Sequence, residues 1–372
     1  MRIYFVETEQ SDEEVFAEAL QDHELHFVSE LKRVEIDAEI LSIFIQSTID
    51  ASFLDQHPKI KLIVTRSTGH DHIDISECEK RGIVVCFVPS YADNTVVQHT
   101  FALILALSRR NREAREACRA GRFTYEGTRG FDLNGKTLGV IGTGKIGLRV
   151  IRLATAFEME VVAYDIHRQS KLGEVLGFRY VSLDQLLGCS HIISLHAPLT
   201  PATYHLLDRE RFSKCRPGVL IINTARGRLI DTDSLREALD QRIVAGAGLD
   251  VIEEERVMVQ QWSTVATQGI IEHIRSESQE EPRIVSSDRI AQLRALMYNA
   301  DLIGRPNVVF TPHIAFNSVE SVKRINQTTV ENINAFLAGQ PVNVVGKMTA
   351  AKAAADMRPP LFRSVLPSHR SL

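Results

Sequence analysis

A chain of 372 residues with 44% hydrophobic and 24% charged residues has an ordinary globular composition and is too long for most single cores, so two domains are expected. A formal net charge of -4 offers no basic face to nucleic acid, and no apolar run approaches the length that spans a membrane. Cys78, Cys86, Cys118, Cys189 and Cys215 are widely spaced without a CxxC pair, and the N-terminus MRIYFVETEQ turns charged at once. Reduced thiols in a cytoplasmic protein are therefore expected, with no disulfide framework, zinc site or signal peptide.

In chain order, short apolar runs at Arg2–Val6, Leu41–Gln46, Ile60–Thr65 and Ile83–Phe87 alternate with helix-like sequence, which predicts a parallel sheet with crossover helices. A long helix follows, expected to be capped by Asn94 and ended by Gly121. Its stripe of Val97, Phe101, Ile104, Leu105 and Ala106 reads as a spine joining two domains. A tighter series of strands comes next, at Thr137–Ile141, Glu160–Tyr164, His191–Leu195, Val219–Ile222, Val244–Leu249 and Asn307–Phe310, and suits one doubly wound sheet. Arg256–Arg305 is polar and reads as an insertion with some helix, particularly Asp288–Tyr298. A last helix, about Ser318–Ala338, stops at Gly339-Gln340-Pro341. It has no sheet of its own to cover, so it is expected to return to the N-terminal domain and make that domain discontinuous. The tail from Lys347 is rich in Ala, Pro, Arg and Ser and is expected to be mobile.

The first chemical signal is the run Gly142-Thr143-Gly144-Lys145-Ile146-Gly147, which an apolar strand enters and an amphipathic helix, Leu148–Phe157, leaves. Gly142 permits the tight turn, Gly144 lets the backbone approach a pyrophosphate, and Gly147 lets helix and strand pack closely. Asp165 ends the next strand, where a carboxylate accepts both ribose hydroxyls and repels a 2′-phosphate. That favours NAD over NADP, with His167 and Arg168 close enough to soften the preference. A glycine-rich turn without a ligand is the plainer alternative, and the agreement of strand, helix and acidic residue weighs against it.

Ligands of an open α/β sheet lie outside the carboxyl ends of its strands. At those ends stand His196-Ala197-Pro198, Asn223-Thr224-Ala225-Arg226-Gly227, Asp250 and Thr311-Pro312-His313. Arg226 follows an apolar strand and is expected to present its guanidinium to a carboxylate. His313, between Pro312 and Ile314-Ala315, is rigidly placed for proton exchange with a substrate hydroxyl. Glu253, Glu254 and Glu255 are read either as a solvated acidic turn or as the source of one carboxylate that reaches His313 and favours its protonated form.

Together these residues resemble the D-isomer-specific 2-hydroxyacid dehydrogenase family, from about Thr65 to Val345. The matching pieces are Arg66-Ser67-Thr68-Gly69, Asp71-His72-Ile73-Asp74, Gln98-His99-Thr100, Gly142 to Gly147, Ser194 to Pro198, Asn223 to Gly227, Gly248-Leu249-Asp250 and Thr311-Pro312-His313. Thr65 to Gly69, Ile314-Ala315-Phe316 and the long insertion make the D-lactate dehydrogenase branch the nearest likeness. The resemblance implies two Rossmann-like or flavodoxin-like parallel-sheet α/β domains, doubly wound. Residues 1–98 with 318–346 would form a discontinuous substrate domain, and 99–317 an NAD-binding domain carrying an insertion at about 256–306.

It also implies a catalytic trio of Arg226, Glu255 and His313, the family spacing from Asp250 selecting Glu255. The cofactor would be NAD, bound by Gly142 to Gly147 and Asp165 and lined by His196, Pro198, Thr224, Ala225 and Asp250. Ser67, Thr68, Gly69, Tyr91 and Phe316 would meet the substrate between the lobes. Gln98, where relatives commonly carry Glu, and Ala92-Asp93, in place of a more usual Ser-Pro, depart from the family pattern. The implied reaction interconverts D-lactate and pyruvate in a cytoplasmic homodimer, with the spine helix near the interface. Glycerate, hydroxyisocaproate and phenyllactate are alternative acids, and an NAD-sensing corepressor or scaffold of the same fold is the alternative of another class.

Overall fold

The computed structural model describes residues 1–255, 258 and 287–346. The remainder of the expected insertion and the tail from Lys347 lie outside the described residues. The chain divides into two compact units, Met1–Tyr91 with the segment from Ser318, and Ala92–Asn317. Each is an α/β layer structure built on a parallel sheet. Among the described residues no helix is long and apolar enough to cross a membrane.

The first unit holds β1 (Arg2–Val6), β2 (Glu24–Val28), β3 (Ile40–Ile43), β4 (Leu62–Thr65) and β5 (Val84–Cys86), in the order β2-β1-β3-β4-β5. Its central strands are buried on both faces because helices cover both. Tyr4, Leu41 and Ile63 pack to one side, and Ile3, Phe5, Ile40 and Leu62 to the other. The helix Val319–Leu337 closes this second face through Ile333 and Phe336, and the Ser318 side chain caps it by accepting from Ser321 N. Arg66, directly after β4, is 3% exposed and reaches across the sheet, donating to Val6 O and Glu7 O at 2.6 Å and to Ser42 Oγ at 3.0 Å. It thereby fixes the strand ends from which Ser67 to Gly69 emerge.

The second unit holds β6 (Thr137–Ile141), β7 (Glu160–Tyr164), β8 (Arg179–Tyr180), β9 (Ile192–Leu195), β10 (Val219–Asn223), β11 (Val244–Leu249) and β12 (Val308–Phe310). Their order is β12-β11-β10-β9-β6-β7-β8, so the winding reverses between β6 and β9, the position at which such sheets bind ligands. Alternate residues of one strand feed opposite cores: Val219 and Ile221 one side, Leu220 and Ile222 the other.

The structure departs from the predicted elements at three places. Strands β2 and β8 have no counterpart among the predicted strands. Both are edge strands, and partial exposure leaves them without a continuous apolar run. The long helix is two helices, Asp93–Ser108 and Asn111–Arg119, separated at Arg109-Arg110, where Arg110 is left-handed (φ 53). Ala92 stands at its N-terminus with no side-chain cap, while Asn94 lies inside the first turn and accepts from the Arg149 guanidinium. The chain passes from the first unit to the second at Tyr91-Ala92, ahead of this helix. The helix is seated wholly in the second unit against β11, where a side chain on Gly248 would stand 2.9 Å from Leu103 Cβ.

Candidate active site

Register places the carboxyl ends of the second sheet in a single row, Tyr164-Ile141-Leu195-Asn223-Leu249-Phe310. Neighbouring strands lie roughly 4.8 Å apart, so the next residues on each, Asp165, Gly142, His196, Thr224, Asp250 and Thr311, share one edge of the sheet. Periodicity along the chain hides this adjacency; the parallel pairing creates it.

Gly142 is left-handed (φ 96), and a side chain there would stand 2.7 Å from the Ala197 N after β9. Gly147 packs its helix onto the Gly142 carbonyl, where no Cβ fits. Gly144 differs: nothing of the protein lies within 4 Å of the space a Cβ would take. It also begins the helix Lys145–Ala156 without a side-chain cap, so the first-turn N–H groups, including those of Lys145 and Ile146, carry the positive end of the helix dipole toward that space. The cradle therefore fits a pyrophosphate. Asp165 is set beside it, Oδ2 accepting from Thr143 N at 2.6 Å and Thr143 Oγ1 at 2.9 Å, and Oδ1 from His167 N at 2.8 Å. Burial pushes its carboxyl up, but these hydrogen bonds outweigh burial and hold it below the ordinary aspartate value. It is an oriented anion, suited to a ribose diol.

His196 follows β9, bonded to Ser194 Oγ at 2.8 Å, and desolvation pushes its imidazole down to about 4. It is neutral at physiological pH, a polar but uncharged wall. Pro198 is exposed just beyond, its carbonyl accepting from Thr203 Oγ1 at 2.7 Å. After β10, Asn223 is buried and shapes the loop, accepting from Ala225 N at 3.0 Å and donating to Arg226 O at 2.9 Å. Thr224 bonds Thr100 at 3.0 Å, and Arg226, half-buried, donates from its guanidinium to Ala225 O at 2.8 Å.

The acidic run is resolved by geometry. Glu253 Oε1 lies 2.9 Å from His205 Nε2, Glu254 pairs with Arg228, and Glu255 Oε1 lies 2.9 Å from His313 Nδ1. Of the three, only Glu255 meets the histidine after β12. His313 is left-handed (φ 55), with its N–H donating to Asp250 O at 2.8 Å, and its side chain is 24% exposed. Strain of this kind in a residue other than glycine gathers at functional sites.

Asp250, 1% exposed, commits both carboxylate oxygens to its own unit. Oδ1 accepts from Thr311 Oγ1 at 2.6 Å and Ile314 N at 3.0 Å, and Oδ2 from Ala315 N at 2.9 Å. His99 Nε2, on the helix Asp93–Ser108, stands 3.3 Å from Asp250 and 2.9 Å from Thr311 Oγ1. Asp250 thus pins the loop that carries His313 and Phe316. His99 and Thr311, given no role from the sequence, are the supporting residues it missed; both lie in motifs that carry the family resemblance.

Desolvation pushes the Asp250 carboxyl up, but bonds from His99, Thr311 and Ala315 outweigh it and hold it below its ordinary value. Its contribution to stability is accordingly present above the unfolded aspartate pKa, about 3.9, and is lost as pH falls through the lower folded value. Asp250→Asn is expected to cost about 3 kcal/mol at neutral pH and to flatten the acid side of the stability profile, read by denaturant unfolding from pH 7 to 3. Equal slopes for both proteins below pH 4 would contradict this account.

The expected substrate residues of the first unit stand at the end of β4. Ser67 Oγ donates to Gly69 O at 2.6 Å, and Thr68 Oγ1 to Val88 O at 2.9 Å, which shapes a tight loop over Ser67–Gly69. Tyr91 is 9% exposed, and its carbonyl accepts from Arg324 Nε at 2.7 Å.

Comparison with known proteins identifies the family. A family model described as D-isomer specific 2-hydroxyacid dehydrogenase, NAD binding domain, matches residues 101–315. The D-lactate dehydrogenase of Escherichia coli (strain K12) is 34% identical over 81% of this chain and 84% of its own length. A glyoxylate reductase of Thermofilum pendens is also 34% identical, over 86% and 84%. A crystal structure of D-lactate dehydrogenase from Aquifex aeolicus, complexed with NAD and lactic acid, superposes with a TM-score of 0.77 at 36% identity, covering 91% of this chain and 96% of that one. The chain belongs to the D-isomer specific 2-hydroxyacid dehydrogenase family and is an NAD-dependent oxidoreductase that interconverts a 2-hydroxy acid and its 2-keto acid.

Proposed function

We propose that the acid is lactate: the protein reduces pyruvate to D-lactate and catalyses the reverse oxidation. The observation that carries the chemistry is the Glu255–His313 pair at 2.9 Å on the loop after β12. His313, protonated, donates to the carbonyl oxygen of the keto acid as negative charge grows there, and in the reverse direction accepts the hydroxyl proton. Glu255 stabilises the imidazolium through Nδ1 and holds the ring so that Nε2 faces substrate. Arg226 binds the substrate carboxylate with two parallel hydrogen bonds and polarises the carbonyl. Ser67, Thr68, Gly69, Tyr91 and Phe316 are the further substrate residues that the family likeness implies. NAD, when bound, supplies the nicotinamide that gives or takes the hydride at C2. Gly142 to Gly147 and Asp165 hold its phosphates and ribose; His196, Pro198, Thr224 and Ala225 flank it, with Asp250 acting through the loop it pins.

A second reading keeps the same residues with glyoxylate as acceptor, favoured by the equal identity to the Thermofilum pendens enzyme. Steady-state rates with NADH over pyruvate, glyoxylate, hydroxypyruvate, 2-ketoisocaproate and phenylpyruvate decide between them. Pyruvate should give the highest kcat/KM, and NADPH in place of NADH should lower it by about tenfold or more, since a 2′-phosphate would meet the Asp165 carboxylate. Negligible turnover on every acid, with NADH tightly bound, would favour a sensing protein instead. The working unit is proposed to be a cytoplasmic homodimer. Support comes from Phe123 and Tyr125, 86% and 85% exposed beyond the helix Asn111–Arg119, a large apolar exposure for a lone chain.

A further inference from the structure

Three consecutive glutamates on an extended segment would alternate between two sides. Here they reach three separate partners, His205, Arg228 and His313. The fan depends on Glu254 being left-handed (φ 55), and the facing His205 is left-handed too (φ 48). Side-chain-bearing residues keep such conformations only where their surroundings over-determine them.

Those surroundings come from distant parts of the second unit. Gly227, after β10, lies so close to the Ile252 carbonyl that a Cβ would not fit. Asn299, on the helix Ser287–Gly304 and 1% exposed, donates to Glu253 O at 2.8 Å. The segment after β9 is stitched to the segment after β10, His205 N donating to Arg228 O at 2.9 Å and Leu207 N to Leu229 O at 3.0 Å. His205 and Arg228 are thereby tied to each other through the backbone, and each is paired with the acidic turn. Their side chains are 27% and 50% exposed, a setting in which ion pairs contribute little to stability. Orientation is the effect left for them to have.

We propose that His205 and Arg228 are positioning residues that hold the acidic turn so that Glu255, and neither neighbouring glutamate, meets His313. The proposal rests on the reading of Glu255–His313 as the reactive pair. Among the described residues, the charged and titratable groups around the turn are Tyr204, whose ring stacks 4.0 Å from His205, together with Arg228, Asp231, Glu253 and Glu254. Behind His313 stand Asp250 and His99. None of these reaches His313 in place of Glu255, so a turn released at residue 253 leaves the imidazolium without its anion.

The test is kcat and KM for keto-acid reduction, using the best acid of the panel above, on the full-length protein and on His205→Ala, Arg228→Gln, Glu255→Gln and the double variant His205→Ala/Glu255→Gln. NADH binding and thermal midpoint are measured on each. Loss of Glu255 is expected to lower kcat by about a hundredfold with KM little changed. His205→Ala is expected to lower kcat on the order of tenfold, likewise without a matching change in KM, with NADH affinity unchanged. In the double variant the His205 effect vanishes, because the group it positions is gone.

Additive effects in the double variant, or a lower thermal midpoint with unchanged kcat, would make His205 merely structural and overturn the proposal. If His205→Ala does not fold, Arg228→Gln carries the same expectations. An unchanged kcat in Glu255→Gln would remove the reactive-pair reading itself, and the proposal with it, whereas a loss there with none in His205→Ala or Arg228→Gln rejects only the positioning role.

Discussion

His313→Ala is expected to lower kcat for keto-acid reduction by about a thousandfold or more while NADH affinity stays within a factor of about two. The two observables separate because His313 stands on the loop after β12, whereas the glycine cradle and Asp165 follow β6 and β7 farther along the same sheet edge. Without the imidazole, a developing alkoxide has no positioned acid and must draw its proton from water. Oxidation of the hydroxy acid should fall by a similar factor, since the same group serves as base in that direction. His313→Gln, which keeps a hydrogen-bonding group without an exchangeable charge, should recover little. Normal kcat in either variant would remove His313 from the chemistry.

Arg226→Gln is expected to lower kcat/KM by two to three orders of magnitude, about 3–4 kcal/mol, mostly through KM. The guanidinium is carried by a loop that Asn223 braces from within and that Gly227 presses against the next strand's exit, so its fork is presented in one orientation. Arg226→Lys should remain far from wild type, because an ammonium cannot make the paired hydrogen bonds. Methyl pyruvate, which lacks the carboxylate, provides the control. Arg226→Gln should lose far less with it, only the share that comes from polarising the carbonyl, and a loss as large as that with pyruvate would show that Arg226 does not act on the carboxylate.

The sheets were legible wherever a strand is buried on both faces. β1, β6, β7 and β11 match the apolar runs residue for residue, because a two-sided core demands continuous apolar sequence. The edge strands β2 and β8 carry no such demand and stayed hidden. Breaking the helix at Arg109-Arg110 was not foreseen either, since the turn there is made by the backbone of an arginine with no glycine or proline to mark it. In the site, the glycine cradle was readable because each glycine answers a local backbone requirement. The sorting of Glu253, Glu254 and Glu255 was not readable from the residues themselves, and only family likeness selected Glu255. Their partners come from residues 205, 228 and 313, and the left-handed Glu254 that fans them apart leaves no mark on a run of identical side chains. Asp250 shows the same limit: its place at a strand end is legible, while its hydrogen bonds to Thr311, Ile314 and Ala315 are not.

The left-handed backbone of His313 sets foldability against turnover at a single dihedral angle. Glycine takes this conformation without strain and asparagine with little, so His313→Gly or His313→Asn should fold as firmly as the wild type or more so, by up to about 1 kcal/mol, while abolishing catalysis. A breeding programme that ranked variants of this chain by heat resistance alone would therefore tend to discard the histidine, and the survivors would be sturdy, NAD-binding and inert.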